Sequence, residues 1–513
     1  MGSWHMNREY ARFRALKQDF SYNGHLISPN RLLIRSSELF PEKIAVQLPS
    51  GDHITFRNLA DGAKKISAIL ISMGVQPGDR VVVLAENSIF FYFAYYGIWQ
   101  TGATVVPLST FLHEQEISDI LADALPRVVV VSNELTAKVD MTRVACRVLR
   151  EDEIMRSTGD SAAFKIHDFA PDAVAAILYT SGTTGKPKGV MLSACGIMTN
   201  VLQGMCRFNF LEDERVLCPL PLFHSFTQIT CVWAAIATGS CVILLPKIMK
   251  DSLLQSFTYR PTFVLGIPHF FALLCRFASL SLHTVRYCIS GGDAVSDAIR
   301  KIFALRFSKK ICNGYGLTES GPLIAVDLDD TISTTNTIGK PVVQVMCDIR
   351  NGDHGIGILW VRGENLMLGY YHAQAATEAV LKDGWLNTGD LARFDADGKL
   401  VICGREKDLI VYRGLKIYPQ EVENVLTSAP NVQLAAVIGI PDVEGCYPAA
   451  FVQTVDHKQI DPEVLIEFCK RHLAHYKVPR TVYFMKSMPM TPTGKIDKKV
   501  LMQQLHAKPS CGM

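Results

Sequence analysis

The segment YTSGTTGKPKGV, Tyr179 to Val190, has the composition needed to surround an anion. Gly182, Gly185 and Gly189 leave the backbone N–H groups uncovered, Thr180, Ser181, Thr183 and Thr184 present hydroxyls, and Lys186 and Lys188 bring charge. Backbone donors with mobile cations beside them suit a phosphate chain. A P-loop of the form GxxxxGK[ST] is excluded, because Thr180 stands where its first glycine belongs and Pro187 fills the Ser/Thr place. Taken alone, the segment also reads as a plain Gly/Ser/Thr loop between the strand AAILYT and the next helix.

Four further segments carry chemistry. In CNGYGLTESG, Tyr315 lies between Gly314 and Gly316, close to Asn313, and offers a flat face for a purine. Stacking of that kind contributes about 1–3 kcal/mol per base. Thr318 and Glu319 follow, a hydroxyl beside a carboxylate, as a magnesium-bound phosphate requires; the plainer reading is a strand-to-helix turn. In GWLNTGDLARFD, Asp390 is either a turn residue or a carboxylate that accepts from two ribose hydroxyls. GREKDLIVYRG places Arg405, Lys407, Asp408, Arg413 and Gly414 together, either as a solvated face or as a hinge. In MTPTGKIDKKVL, Lys495 is a surface lysine or, on a mobile loop, a cation that meets developing negative charge.

These residues need a scaffold, and the chain is long enough to build one. It has 513 residues, 48% of them hydrophobic and 20% charged, which fits an ordinary globular enzyme. A net charge of +3 implies no nucleic-acid partner. The fourteen cysteines are scattered singly, with no CxxC pair and no zinc spacing, and read as small buried hydrophobes of a reducing, cytoplasmic compartment. MGSWHM resembles a cloning remnant, with Met6 as a natural start. The uncharged run Ile229 to Leu245 is too short and too interrupted for a membrane span, and reads as a buried helix ending at Gly239 followed by a strand.

Short β-branched runs alternate with helical patterns: RVVVLA, ATVVPL, RVVVVS, TFVLGI and RYCIS. The pattern predicts an α/β fold with parallel-rich sheets flanked by helices. From about Asn351 the texture changes to antiparallel hairpins, a β-rich subdomain. A small mobile α+β domain is expected at the end. The expected boundaries are 7–404 for the large domain, 405–409 for the hinge and 410–513 for the small domain.

In order and spacing, the five segments resemble the adenylate-forming superfamily of acyl-CoA synthetases, non-ribosomal adenylation domains and beetle luciferases, from roughly Leu32 to Leu501. The resemblance implies that Thr180, Ser181, Gly182, Thr183, Thr184, Gly185 and Lys188 hold the β- and γ-phosphates of ATP. It places Tyr315, with Asn313, Gly316 and the Ser290, Gly291, Gly292 element, at the adenine. Thr318 meets the α-phosphate, Glu319 binds Mg²⁺, and Asp390 and Arg405 bind the ribose. Lys407 becomes the hinge, Lys495 the lysine bridging acyl carboxylate and α-phosphate, and Arg413 and Gly414 the CoA-binding pair. Two positions depart from the pattern: Ala194 stands where many relatives have His, and Val411 where several have Lys.

The acyl pocket of the family opens at PLPLFHSF, here with His224 and Ser225, and Gly266 is expected beside it; His224 is a pocket gate or a satisfied interior histidine. No acidic residue stands among Phe223 to Phe226 to pair an α-amine, and an unpartnered buried ammonium would cost several kcal/mol. The implied activity is therefore an ATP- and Mg²⁺-dependent ligase that joins a medium or long fatty acid to CoA. Transfer to an acyl carrier protein, or activation of an aryl acid, is the alternative. A long-chain substrate would add peripheral membrane contact.

Overall fold

The computed structural model describes residues 2–22, 24–140, 146–157, 165–180, 187–329, 337–353, 355–443, 445–491 and 496–507. All five β-branched runs are strands: Arg80–Leu84, Thr104–Pro107, Val128–Val131, Phe263–Gly266 and Tyr287–Ser290. Each pairs in parallel with a neighbour, as sequences apolar on both faces require.

The first three belong to a seven-stranded sheet, which continues through Val174–Thr180 into an antiparallel pair with Lys188–Ser193 and ends at the short strand Gly369–Tyr370. The strand Lys188–Ser193 thus comes before the helix Ala194–Phe208, and Thr180 lies opposite Lys188.

A larger sheet carries the antiparallel pair Ile44–Gln47 and His53–Thr55 at one edge and continues in parallel strands, among them Phe263–Gly266, Tyr287–Ser290 and Ile311–Gly316. It turns antiparallel at Leu323–Val326, earlier than the change in texture near Asn351. Short β-branched runs encode burial and not direction, so the switch leaves little trace in composition. The sheet then runs through Thr337–Pro341, Leu400–Arg405, Trp385–Phe394, Ile356–Arg362 and Met346–Asp353. A separate five-stranded sheet contains Ile410–Tyr412, Leu415–Ile417, Val432–Asp442, Gly445–Thr454 and Thr481–Phe484. Helices Pro419–Ser428 and Pro462–His472 accompany it. The α/β expectation is borne out.

The helix Ile89–Gln100 is apolar on nearly every side and accordingly buried; Ser88 caps it by accepting the Phe91 N–H at 3.2 Å. Trp99 stacks on Trp233, ring centroids 6.3 Å apart. Trp233 lies in the uncharged run, which is helical to Thr238 and ends at Gly239 in the left-handed region (φ 72°), before the strand Cys241–Leu244. Its first residues, within Gln228–Ala234, form a π-helix, a geometry the sequence does not announce. Buried tyrosines supply partners to its carbonyls: Tyr96 Oη donates to Val232 O at 2.6 Å and Tyr92 Oη to Cys231 O at 3.4 Å. Among the described residues no helix is long and apolar enough to cross a membrane.

Candidate active site

Three site residues meet on the large sheet. Asp390 and Arg405 are cross-strand partners in an antiparallel pair, and Arg405 Nε donates to Asp390 Oδ1 at 3.0 Å. Tyr315, near the end of Ile311–Gly316, donates its phenol to Asp390 Oδ2 at 2.6 Å. Asp390 is 4% exposed, so both contacts act at low local dielectric, with little screening by water. Burial, then Asp390, pushes the Tyr315 phenol well above its ordinary range, which keeps it a donor. Burial works against the Arg405 charge, but Asp390 outweighs it and the guanidinium is held above its usual value.

The turn that follows Tyr315 has little room. A Cβ on Gly316 would fall 1.8 Å from the carbonyl oxygen of Pro322, so only glycine fits. Thr318–Ser320 then forms a single 3₁₀ turn that ends at Gly321, φ 86°. Thr318 shares a hydroxyl hydrogen bond of 3.1 Å with Ser225, joining the phosphate residue to the segment named for the acyl pocket. Glu319 Oε1 accepts from Tyr370 Oη at 2.9 Å, and its backbone carbonyl accepts from Met367 N. Tyr370 was not singled out by sequence; its strand pairs with the one leaving the phosphate segment, Val190 opposite Tyr370. The Lys188 ammonium lies 5.1 Å from the centre of the Tyr370 ring. Burial, then Glu319, raises the Tyr370 phenol, so it too remains protonated.

The remaining expected residues divide by role. Ser290 Oγ is buried without a hydrogen-bond partner, unusual for a hydroxyl and consistent with a place beside a ligand. Gly291 N donates to Gly266 O at 3.2 Å, and a Cβ on Gly291 would press the Phe226 ring at 3.2 Å. Gly292 is left-handed, φ 85°. At Gly266 a Cβ would meet Phe270 at 2.7 Å and Phe271 at 2.9 Å, so this glycine makes room for the phenylalanine core. Asn313 commits its amide to Thr337 O at 2.9 Å. His224 caps the turn Ser225–Thr227, its Nδ1 accepting the Phe226 N–H at 3.2 Å. Thr180 Oγ1 reaches Lys188 O at 3.4 Å.

Beyond Arg405, Lys407 sits exposed in the 3₁₀ turn Glu406–Asp408. Arg413 and Gly414, φ 51° and 75°, are the two central residues of a hairpin between Ile410–Tyr412 and Leu415–Ile417. Two consecutive positive φ values match a type I′ turn, which explains the glycine structurally. Ser181, Gly182, Thr183, Thr184, Gly185 and Lys186 lie outside the described residues, as does Lys495.

Comparison with known proteins decides what this arrangement belongs to. The family model described as AMP-binding enzyme matches residues 33–371, and that of the AMP-binding enzyme C-terminal domain matches 421–495. The chain belongs to the AMP-binding enzyme family. The expected membership of the adenylate-forming superfamily, and with it the class of AMP-forming acyl-CoA synthetase, is thereby borne out. An AMP-binding enzyme similar to it over nearly its whole length is the long-chain-fatty-acid–CoA ligase FadD13 of Mycobacterium tuberculosis, 30% identical over 93% of this chain and 98% of the relative. A feruloyl-CoA synthase of an Amycolatopsis species is 32% identical over 91% and 96%. Among solved structures, ATP-bound MatB from Rhodopseudomonas palustris superposes with a TM-score of 0.86 at 27% identity, covering 94% of this chain and 99% of that one.

Proposed function

We propose that this AMP-binding enzyme adenylates a medium- or long-chain fatty acid with ATP and passes the acyl group to CoA. The observation that carries the reading is the joined cluster of Tyr315, Asp390 and Arg405 beside Thr318 and Glu319, in a chain similar to a long-chain-fatty-acid–CoA ligase along nearly all of its length. A carboxylate resists attack because it is already anionic. Its oxygen therefore attacks the α-phosphorus of ATP and pyrophosphate leaves; the CoA thiol then attacks the acyl carbon and AMP leaves.

Each residue has a task in that sequence. Tyr315 offers its ring to adenine, and Asp390 accepts from the ribose while Arg405 holds its second oxygen. Thr318, fixed by Ser225, faces the α-phosphate. The segment Thr180–Lys188 holds the departing phosphates. Lys495 lowers the repulsion between acyl carboxylate and α-phosphate. Lys407 is the pivot between a large domain of 7–404 and a small domain of 410–513, so that Lys495 and then Arg413 with Gly414 serve successive half-reactions.

Mg²⁺ fits this site. The described residues contain no group of three or more His, Cys, Asp or Glu side chains able to hold a metal, so the cation would rest on Glu319 and substrate oxygens. Mg²⁺ habitually binds through one or two carboxylates plus phosphates. When bound it neutralises charge on the phosphates.

An aryl acid is the second reading, favoured by the likeness to a feruloyl-CoA synthase. The test is mass spectrometry of products from ATP, Mg²⁺, CoA and a series of acids from acetate to palmitate, with benzoates and a hydroxycinnamate. Acyl-CoA peaking at one fatty chain length is expected. A peak at an aryl acid replaces the substrate class, acyl-AMP with CoA untouched points to a carrier protein, and no adenylate from any acid refutes the function.

A further inference from the structure

We propose that Tyr370 is a positioning residue for the metal carboxylate and the phosphate lysine together. The inference rests on reading Glu319 as the Mg²⁺ ligand. Glu319 Oε1 accepts from the Tyr370 phenol at 2.9 Å, which restricts the carboxylate's rotation and would hold it in one orientation for a cation. A neutral donor does this without cancelling the charge that attracts the metal.

The other half of the role belongs to the ring. Lys188 and Glu319 carry opposite charges and both lie against Tyr370, yet among the described residues they form no ion pair with each other. The Tyr370 ring has the ammonium 5.1 Å from its centre, and its hydroxyl on the carboxylate. It thereby keeps apart a cation needed by phosphate and an anion needed by metal, which would otherwise satisfy each other before substrate arrives.

Tyr370 is held firmly enough for such work. Its backbone N–H donates to Thr377 Oγ1 at 2.9 Å, its strand pairs with Lys188–Ser193, and the Tyr371 N–H donates to Gly189 O at 2.7 Å. The residue is 9% exposed. A shift of the phosphate strand therefore moves Tyr370, and Tyr370 moves Glu319.

The decisive comparison uses the whole chain as wild type, Tyr370→Phe and Glu319→Gln. Mn²⁺ binding in the presence of α,β-methylene-ATP is followed by electron paramagnetic resonance, alongside melting temperature and the Mg²⁺ dependence of adenylation. Tyr370→Phe keeps the ring and is expected to melt like wild type. Its Mn²⁺ affinity should weaken several-fold, with a matching rise in half-saturating Mg²⁺, an unchanged KM for the acid and a rate restored at high Mg²⁺. Glu319→Gln should lose Mn²⁺ binding more severely. Loss in Glu319→Gln with wild-type binding in Tyr370→Phe overturns the proposal alone. Wild-type binding in both variants overturns the metal role of Glu319, and the proposal with it.

Discussion

Asp390 is gripped from both sides, by the Tyr315 phenol on Oδ2 at 2.6 Å and by Arg405 on Oδ1 at 3.0 Å. Each carboxylate oxygen has more than one lone pair, so the grip fixes Asp390 in place and still leaves it able to accept from a diol. A residue of the adenine face, one of the ribose and one at the edge of the proposed hinge are thus a single hydrogen-bonded unit.

Asp390→Ala removes the acceptor and strands Arg405, whereas Tyr315→Phe keeps the stacking face and deletes one hydrogen bond. A hydrogen bond to a charged group is worth about 1.5–3 kcal/mol. The KM for ATP in pyrophosphate exchange should therefore rise about ten- to hundredfold in Asp390→Ala and clearly less in Tyr315→Phe. Equal effects would mean that Asp390 serves only to hold the tyrosine.

Ser225 bridges the acyl segment to Thr318 across 3.1 Å. Replacing it with alanine removes a neutral hydrogen bond of about 0.5–1.5 kcal/mol, so single-turnover adenylation should slow about two- to tenfold. An unaltered rate, measured by quenched flow, would show that Thr318 keeps its place unaided.

Gly316 has no space for a methyl group, because a Cβ would meet Pro322 O at 1.8 Å. Gly316→Ala must push the turn outward and carry Tyr315 and Thr318 with it. Nucleotide binding by calorimetry should collapse while the far-ultraviolet circular dichroism spectrum stays that of a folded protein. Normal ATP affinity would contradict the close approach seen here.

Alkaline pH should weaken the fold. Burial holds the phenols of Tyr92, Tyr95, Tyr96 and Tyr315 well above their ordinary value of 10.0. Above pH 10 the unfolded chain loses these protons and the native chain keeps them, so the tyrosines' contribution to native stability is full below that pH and falls as pH rises. The slope is about 1.4 kcal/mol per pH unit for each such tyrosine. Thiols add to it from lower pH, Cys241 being pushed up from 9.0 to about 11 by burial. Urea midpoints between pH 8 and 11 should decline, and more gently for Tyr92→Phe; identical slopes would mean that Tyr92 ionises in place.

What the sequence made legible follows the range of each interaction. Runs such as RVVVL specify strands because their signal is local, and the helix stop at Gly239 is a local backbone preference. The hydroxyl-rich phosphate segment and the GYG element likewise declare themselves within a dozen residues. Tyr370 could not be found that way: its partner Glu319 is 51 positions earlier, and long-range contacts bring them together, the pairing of Gly369–Tyr370 with Val190 and Met191 and the bond from Met367 N to Glu319 O. A Gly-Tyr-Tyr after an apolar strand was the available hint. The π-helix was hidden for a related reason, since the hydroxyls that donate to its carbonyls come from a helix more than a hundred residues before it.

Two of the five tryptophans, Trp99 and Trp233, form a buried pair with planes 23° apart, and the second is anchored by donating its Nε1 to Tyr95 at 3.0 Å. Indoles so close share electronic excitation, and their coupled bands depend steeply on separation and angle. Trp233 is part of the π-helix that continues from His224 and Ser225. The protein therefore carries its own optical gauge: any acid that displaces this segment on entering will change the near-ultraviolet dichroism of the pair, before chemistry and with no label attached.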